Sequence, residues 1–400
     1  MKTQHIIVSG AGIGGLTAAL SLAQAGHTVE VFEQSPELAE VGAGIQLSAN
    51  GMRVLNHLNL MQATAAVSFL PEAVEMRDWQ SARLIASNPL GAKAQTRFGF
   101  PYCHIHRADL ISVLRQAVTE NPRIRLYLGV PIEGFQQSET QVTLVAKGQT
   151  RVADLLIGAD GIHSRIREGL FGRQAPTFTG NVAWRGLVPI ERLPKQLVRP
   201  VATVWWGPGK HFVHYYVRQG RLVNCVCVVE KSGWDTESWT ARGELDELKA
   251  DFGGWHETIQ TLIENMAPQD CYKWALFDRP VMPQWSQGRV TLLGDACHPT
   301  LPFMAQGAVM AIEDGAVLAS CLQAEDTVEA ALGRYENIRR KRTTLIQQGS
   351  RRNARVFHLD GLQARLRNRA AKFASSRLTD GIYSHDVYAE FDTKGSRQIV

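Results

Sequence analysis

The sequence has no cysteine pair with the spacing of a redox motif or a metal site. None of its six cysteines belongs to a Cys-x-x-Cys pair, which argues against a structural zinc ion and a thiol redox centre. Unpaired cysteines are typical of reduced thiols in a cytosolic protein. We therefore expect a cytoplasmic protein without a bound metal. The cysteines are Cys103, Cys225, Cys227, Cys271, Cys297 and Cys321.

Long apolar runs are also missing. No run approaches the roughly 18 residues that a membrane-spanning helix needs. The apolar N-terminal segment is interrupted by four glycines and lacks the basic region and cleavage site of a signal peptide. We therefore expect no membrane partner.

Charge of either sign is not strongly in excess, since 43 lysines and arginines face 38 aspartates and glutamates, for a net charge of +5. Most of the excess lies in the C-terminal quarter, where no base-reading motif accompanies it. We predict a solvated helix face or a subunit contact in a homodimer, and no nucleic-acid partner. The basic residues are Arg339, Arg340, Lys341, Arg342, Arg351, Arg352, Arg355, Arg365, Arg367, Arg369 and Lys372.

The chain does contain a glycine-rich turn between a strand and a helix. The apolar run 5–9 precedes Gly10-x-Gly12-x-x-Gly15, and an Ala/Leu-rich stretch follows it to Ala25. Such glycines let backbone N–H groups at a helix N-terminus approach a pyrophosphate. Glu33 closes the next strand-like run, where a carboxylate accepts from a ribose hydroxyl. These features predict a dinucleotide site, with FAD or NAD favoured over NADP.

Two aspartates lie at further strand ends. Asp160 and Asp295 each follow an apolar strand and precede glycine or alanine. Ligands bind open α/β sheets at the carboxyl ends of parallel strands, where carboxylates accept from sugar hydroxyls. Either aspartate could instead cap the following helix.

The fold class predicted is α/β: a Rossmann-like dinucleotide-binding domain with βαβ units and a mostly parallel sheet, an inserted antiparallel-sheet substrate domain and a C-terminal helix. Four hundred residues exceed one usual core. Strand-like segments between 177 and 230 alternate with glycine turns, as in antiparallel hairpins. We place the nucleotide-binding domain at 1–72, 101–176 and 281–335, the substrate domain at 73–100 and 177–280, and a C-terminal helical region at 336–400.

With three motifs in this order, the chain resembles the group A flavoprotein aromatic hydroxylases of the para-hydroxybenzoate hydroxylase fold. Within that family it is most similar to salicylate 1-monooxygenases and 3-hydroxybenzoate 6-monooxygenases, from Ile6 to about Ala319 and in a C-terminal helix. The resemblance implies an FAD-dependent monooxygenase that hydroxylates a small phenolic aromatic, using NADH or NADPH and O₂ through a flavin hydroperoxide. Two alternatives stay open: a flavin oxidoreductase or epoxidase acting on a non-phenolic ligand, and a non-catalytic flavin-binding protein.

The resemblance also implies the residues around the cofactor. The turn 10–15 would hold the FAD pyrophosphate, Glu33 the adenosine ribose and Asp295 the ribityl chain. No separate unit for the nicotinamide coenzyme is visible, so transient docking near Asp160 and Arg165 is expected. The expected cofactor-binding residues are Gly10, Gly12, Ile13, Gly14, Gly15, Glu33, Gln34, Gly44, Ile45, Arg107, Gly129, Val130, Asp160, Gly161, Asp295, Gly307 and Ala308.

A catalytic base is expected on the strand 211–217. Histidine suits phenol deprotonation near neutral pH. Side chains alternate along a strand, so His211 and Tyr215 share one face and His214 lies on the other. The resemblance favours His211 as the base, with Tyr215 as a pocket residue. The alternatives are His214, or a packing role for both histidines.

The substrate-binding residues expected are Leu47, Arg185, Trp205, Pro302 and Phe303. Arginine's planar fork suits a carboxylate, although a salt bridge is the alternative for Arg185. Core packing is the alternative for Leu47 and Trp205. Relatives often carry Gln or His in the 302–303 pair, so the apolar Phe303 leaves the substrate's identity open. His298 is expected to orient its loop through a hydrogen bond.

Overall fold

The computed structural model describes residues 2–38, 44–231, 233 and 241–392, with backbone alone at 373–378 and 392. These residues form the α/β fold expected. The strands are β1 (His5–Ser9), β2 (Thr28–Glu33), β3 (Gly44–Leu47), β4 (Ala73–Asp78), β5 (Leu84–Pro89), β6 (Cys103–His106), β7 (Ile124–Leu128), β8 (Ile132–Gln137), β9 (Val142–Ala146), β10 (Gln149–Ala153), β11 (Leu155–Gly158), β12 (Thr177–Pro189), β13 (Ala202–Gly207), β14 (Lys210–Val217), β15 (Leu222–Glu230), β16 (Tyr272–Asp278), β17 (Ser286–Gln287) and β18 (Val290–Leu292).

Helices connect and cover these strands. They are α1 (Ile13–Gln24), α2 (Ala49–His57), α3 (Met61–Ala66), α4 (Gly91–Phe98), α5 (Arg107–Glu120), α6 (Arg165–Phe171), α7 (Leu245–Asp251), α8 (Glu257–Glu264), α9 (Gly307–Ala324), α10 (Val328–Phe357), α11 (Gly361–Tyr383) and α12 (Ala389–Asp392).

A six-stranded sheet forms the first layer, in the order β17-β18-β11-β1-β2-β7. Its pairs are parallel except β17 with β18. The neighbouring strands β18, β11 and β1 are nearly continuous apolar runs, because helices cover such a sheet on both faces. The carboxyl ends of β1, β11 and β18 therefore meet at one edge and present the three sequence motifs together.

A seven-stranded sheet forms the second layer, in the order β16-β12-β15-β14-β13-β4-β5. Its pairs are antiparallel except for β4 and β13, which run parallel with Val74 opposite Ala202. One face packs against α7 and α8 around Trp205, Phe212 and Phe252. The other face is turned towards the six-stranded sheet and α10. Two small sheets, β10-β9-β8 and β3-β6, complete the fold.

Helix α9 lies in the centre of the first layer and packs against α1 and α10. Of the described helices it alone has the length and apolar composition to cross a membrane, so the expectation that no apolar run is that long is wrong. However, 72% of this helix is buried inside the protein. Its apolar composition follows from that core position and is consistent with a soluble protein.

Candidate active site

One large cavity lies between the two sheets and the C-terminal helices, with a volume of about 1150 Å³. One end is formed by the glycine turn after β1 and the other by β14. Pockets for drug-sized ligands typically occupy about 300–1,000 Å³. This cavity therefore has room for a dinucleotide cofactor and a small substrate together.

The glycine turn is shaped by close backbone packing. Gly10 has φ +105°, and a Cβ there would lie 2.4 Å from the Ala159 carbonyl oxygen. A Cβ on Gly15 would lie 2.0 Å from the Gly10 oxygen. Gly12 faces open space, and α1 begins at Ile13 with neither a side-chain cap nor an acidic residue in its first turn. The first amides of α1 are thus suited to an anionic phosphate.

Glu33 ties the glycine turn to the end of β2. One carboxylate oxygen accepts from the Ala11 amide at 2.8 Å and the other from the Ser35 amide at 2.8 Å. The Val130 amide donates to the Glu33 carbonyl and Gly129, at φ +68°, donates to Ser35. Each carboxylate oxygen keeps acceptor capacity for a ribose hydroxyl. The predicted adenosine-side residues are therefore together, while Gln34 is exposed.

The carboxylate of Asp160 caps the next helix. Its Oδ2 accepts from the amides of Arg165 at 2.8 Å and Ile166 at 3.2 Å, the capping role that the sequence left open. Oδ1 is buried with no partner among the described residues, and burial raises the pKa of this carboxyl. Gly161 lines the cavity but Asp160 does not.

The third motif, Gly294-Asp295 after β18, places Asp295 on the cavity wall, where Arg107 at the start of α5 also lies. The Asp295 side chain is accessible from the cavity, yet its position deep in the protein raises its pKa, an effect that His298 and Arg107 oppose. Gly307 and Ala308, at the start of α9, line the same wall, as do Gly44 and Ile45 of β3. The uncapped N-terminus of α9 favours negative charge on a bound ring.

Buried ion pairs behind this wall support the third motif. Asp314 accepts from the Gly294 amide at 3.0 Å and pairs with His298 at 2.5 Å, which is the loop-orienting role expected for His298. Arg339 reaches Asp314 at 2.6 Å and Glu313 at 2.8 Å, and all three are fully buried. The prediction of a solvated face or subunit contact is therefore wrong for Arg339.

Strand β14 presents His211 and Tyr215 to the cavity. His214 lies on the opposite face, is 2% exposed, and stands near Trp205 with ring centroids 6.2 Å apart. Burial lowers the pKa of His214 to about 3. Of the two histidines, only His211 can contact a ligand in the cavity.

Two predicted substrate residues do not line the cavity. Trp205 is opposite Phe212 in the β13–β14 register and packs on the far face, whereas Trp206 is opposite His211 and lines the cavity. Leu47 is fully buried in the core of the first layer, and Gln46 lines the cavity instead.

Arg185, Pro302 and Phe303 line the cavity as expected. The Arg185 guanidinium lies 4.6 Å from the ring centroid of Trp274, and Phe303 meets His211 edge-on at 5.1 Å. The chain therefore places an imidazole, a guanidinium and an aromatic ring on the wall of one cavity.

The sequence reasoning missed several wall residues. The register of β13 and β14 could have been found from the turn at Gly207-Pro208-Gly209. Gly207 pairs with Lys210 across this turn, which places Trp206 opposite His211. No local pattern identified Tyr102, whose hydroxyl donates to Gln46 Oε1 at 2.5 Å. Nor did any pattern show that α10 and α11 cover the cavity, through Asn353, Phe357 and Tyr383 among others.

Comparison with known proteins agrees with this geometry. The family model described as FAD binding domain matches residues 2–350. A 3-amino-4-hydroxybenzoate 2-monooxygenase of Streptomyces platensis is 40% identical over 379 residues, covering 94% of each chain. A 3-hydroxybenzoate 6-hydroxylase of Polaromonas naphthalenivorans is 36% identical, covering 91% of this chain and 90% of its own. A solved salicylate hydroxylase substrate complex superposes with a TM-score of 0.82 at 26% identity, covering 100% of this chain and 99% of its own.

Proposed function

Because the chain belongs to the FAD binding domain family and is an FAD-dependent aromatic hydroxylase, we propose that its substrate is a small phenol bearing a carboxylate, similar to salicylate or a hydroxybenzoate. NAD(P)H is the reductant and O₂ the oxidant. The relatives named above act on aromatic rings that carry both a hydroxyl and a carboxylate. The observation that carries the proposal is His211 on the cavity wall in contact with Phe303, with Arg185 on the wall of the same cavity.

The residues present fit FAD. The glycine turn leaves Gly12 facing open space, and Asp295 and Arg107 line the cavity beyond it. When bound, FAD takes up reducing equivalents from the nicotinamide coenzyme and activates O₂ for transfer to the aromatic ring. The protein's own tasks are to hold this cofactor, orient the phenol, deprotonate it and exclude water.

Replacing Gly10 with alanine is expected to weaken FAD binding at least about tenfold. The new Cβ would lie 2.4 Å from the Ala159 carbonyl oxygen, and φ +105° disfavours any L side chain. FAD titration of the apoprotein, followed by flavin fluorescence, measures the change. Gly26→Ala is the matched control, since Gly26 has φ +95° but nothing within 4 Å of an added Cβ. Equal FAD affinity in both variants would contradict the role of the turn.

His211 is proposed as the general base. Its Nδ1 lies 2.8 Å from a ring nitrogen of His358, which leaves Nε2 as the nitrogen available to the cavity. Burial lowers the pKa of His211 well below its usual value, so the neutral, proton-accepting form is present at pH 7. A deprotonated phenol is the electron-rich ring that electrophilic hydroxylation requires.

Tyr215 and Arg185 are proposed to orient the phenol. Burial raises the pKa of Tyr215, an effect that Arg185 opposes, so Tyr215 remains a hydrogen-bond donor. The Arg185 guanidinium stacks over Trp274 and can present its planar fork to a carboxylate. Phe303 and Leu276 give the cavity apolar walls, and we propose that these walls keep water away from the ring carbon to be hydroxylated.

The experiment is coenzyme oxidation by the FAD-loaded protein across a panel of aromatics, with the products identified by mass. The panel contains salicylate, 3-hydroxybenzoate, 3-amino-4-hydroxybenzoate, 6-hydroxynicotinate and the matching rings without a hydroxyl. We expect a phenolic acid to stimulate oxidation and to gain one oxygen atom, with or without loss of carbon dioxide. If only the rings without a hydroxyl stimulate coenzyme oxidation, the proposal of a phenolic substrate is contradicted. Running the panel once with NADH and once with NADPH identifies the coenzyme. We propose that the coenzyme is NADH and that it docks near Arg165.

We also propose a cytoplasmic homodimer that binds neither nucleic acid nor membrane. Leu345, Leu362 and Leu366 on α10 and α11 are 70%, 72% and 58% exposed, an apolar set that a second copy could cover. Several C-terminal arginines are used within the chain, including Arg339 and Arg342 with Glu313 and Arg351 with Asp278. Sedimentation of the FAD-loaded protein gives its oligomeric state, and a monomer at micromolar concentration would contradict the dimer.

A further inference from the structure

A chain of three titratable side chains connects the cavity wall with the protein surface. His211 Nδ1 lies 2.8 Å from His358 Nε2, and His358 Nδ1 lies 2.7 Å from Glu230 Oε1. His211 is 2% exposed and lines the cavity, whereas the Glu230 side chain is 55% exposed. The contacts therefore run continuously from the proposed base to solvent.

The backbone holds this chain in register. Gly209, in the β13–β14 turn, donates its amide to the His358 carbonyl at 3.0 Å and accepts from the Glu230 amide at 2.9 Å. His211 follows two residues after Gly209 on β14. One turn thus positions the end of α10, the end of β15 and the start of β14 against each other.

The carboxylate determines where the protons lie. An ionised carboxylate only accepts hydrogen bonds, so His358 donates from Nδ1 to Glu230. Neutral His358 then accepts at Nε2, and His211 must donate from Nδ1. His211 Nε2 is consequently unprotonated, which is the form that a general base needs.

We propose that His211, His358 and Glu230 form a proton relay that carries the substrate's phenolic proton to solvent. The phenol O–H bond breaks as a proton binds His211 Nε2, and the Nδ1 proton of His211 passes to His358 Nε2. The Nδ1 proton of His358 passes to the Glu230 carboxylate and then to water. One proton leaves, both imidazoles end neutral, and no oxidant or reductant takes part. The identity of the proton's donor rests on the proposed phenolic substrate, whereas the relay itself rests on the two contacts His211–His358 and His358–Glu230.

The surroundings of the relay favour outward transfer. Burial among Phe303 and Phe357 disfavours a lasting positive charge on His211. The pKa of His358 is lowered by burial, an effect that Glu230 opposes and Arg367 reinforces. Arg367 donates to the Phe357 carbonyl at 2.9 Å, so its positive charge lies close to His358 and disfavours a second positive charge on that imidazole.

The test is proton release by the FAD-loaded enzyme on binding a phenol from the panel, followed in weak buffer with a pH-indicator dye in a stopped-flow instrument. We expect His358→Gln to slow release at least tenfold while the dissociation constant of the phenol changes less than about twofold, because general acid–base steps commonly contribute about 10²–10⁴-fold. Added imidazole should restore the rate, which a merely structural loss would not permit. His57→Gln is the control, since His57 is exposed on α2.

A second variant keeps the test independent of folding at the buried site. Glu230→Gln changes an exposed residue, keeps an acceptor for His358 and removes the proton-accepting group, so it should slow release as well. Unchanged release in both variants, with His211→Asn slowed, would overturn the relay and leave the proposed function intact. If no phenol in the panel perturbs the flavin absorbance or releases a proton, the proposed function fails and the relay fails with it.

Discussion

Replacing His211 with asparagine is expected to lower kcat for the phenolic substrate at pH 7 by about 10²–10⁴-fold, the range attributed to general acid–base catalysis. Asparagine can keep a hydrogen bond to His358, but it cannot accept the phenolic proton. The variant should bind FAD normally, because the residues proposed to hold the flavin lie on other elements. Steady-state coenzyme oxidation coupled to product formation measures the loss.

The pH dependence separates a missing base from a distorted pocket. In the variant, hydroxylation depends on the phenol's own ionisation, so kcat should rise roughly tenfold per pH unit towards the phenol pKa of about 10. In the natural enzyme we expect the neutral imidazole of His211 to be the active form. Burial lowers the pKa of His211, so activity should persist below pH 6.5 and be lost only as pH falls through that lowered pKa.

His214→Asn is the matched control for this prediction. His214 lies on the same strand and is equally buried, at 2% exposure, but on the face that packs against α7 and α8. Its replacement should leave the pH profile of kcat unchanged, even where it lowers stability. A His211→Asn variant with a natural pH profile would remove His211 from the mechanism.

Much of the fold could be predicted because its signals are local. The turn at Gly10 to Gly15 requires a positive φ and close backbone packing, and only glycine satisfies both. The alternation of side chains along β14 is also a local signal, and it correctly assigned His211 and Tyr215 to one face of the strand. These positions are determined by near neighbours in the chain, so a single sequence contains the information.

The rest could not be predicted because it depends on register and on distant partners. The prediction of Trp205 as a substrate residue was wrong by one position, because Trp206 is the tryptophan on the cavity face. A shift of one position moves every side chain of a strand to the other face. The buried partner of Glu313 and Asp314 could not be predicted either, because nothing local distinguishes Arg339 from the other basic residues of the C-terminal quarter. The same holds for His358, which is 147 residues from His211 and meets it only through tertiary packing.

Replacing Arg339 with methionine is expected to destabilise the FAD-loaded protein by about 3–5 kcal/mol, the usual effect of removing one partner from a buried ion pair. Glu313 and Asp314 would then be buried carboxylates deprived of a guanidinium that contacts both. The expected fall in Tm is on the order of 10 °C. Thermal unfolding, followed by flavin fluorescence at fixed FAD concentration, measures it.

Arg340→Met is the neighbouring control, because Arg340 is 37% exposed and pairs with Glu336 one helical turn away. Such a pair contributes about 0–1 kcal/mol, so its loss should change Tm little.

The stabilisation by Arg339 should also depend on pH. Burial alone would raise the pKa of Glu313, but Arg339 and Arg342 lower it to about 2. The folded pKa is below the unfolded value of about 4.3, so this stabilisation is complete above about pH 5 and is lost as pH falls towards 2. The difference in Tm between the natural protein and Arg339→Met should therefore shrink over that range, and a difference independent of pH would show that the lost packing of the arginine stem, rather than its charge, is responsible.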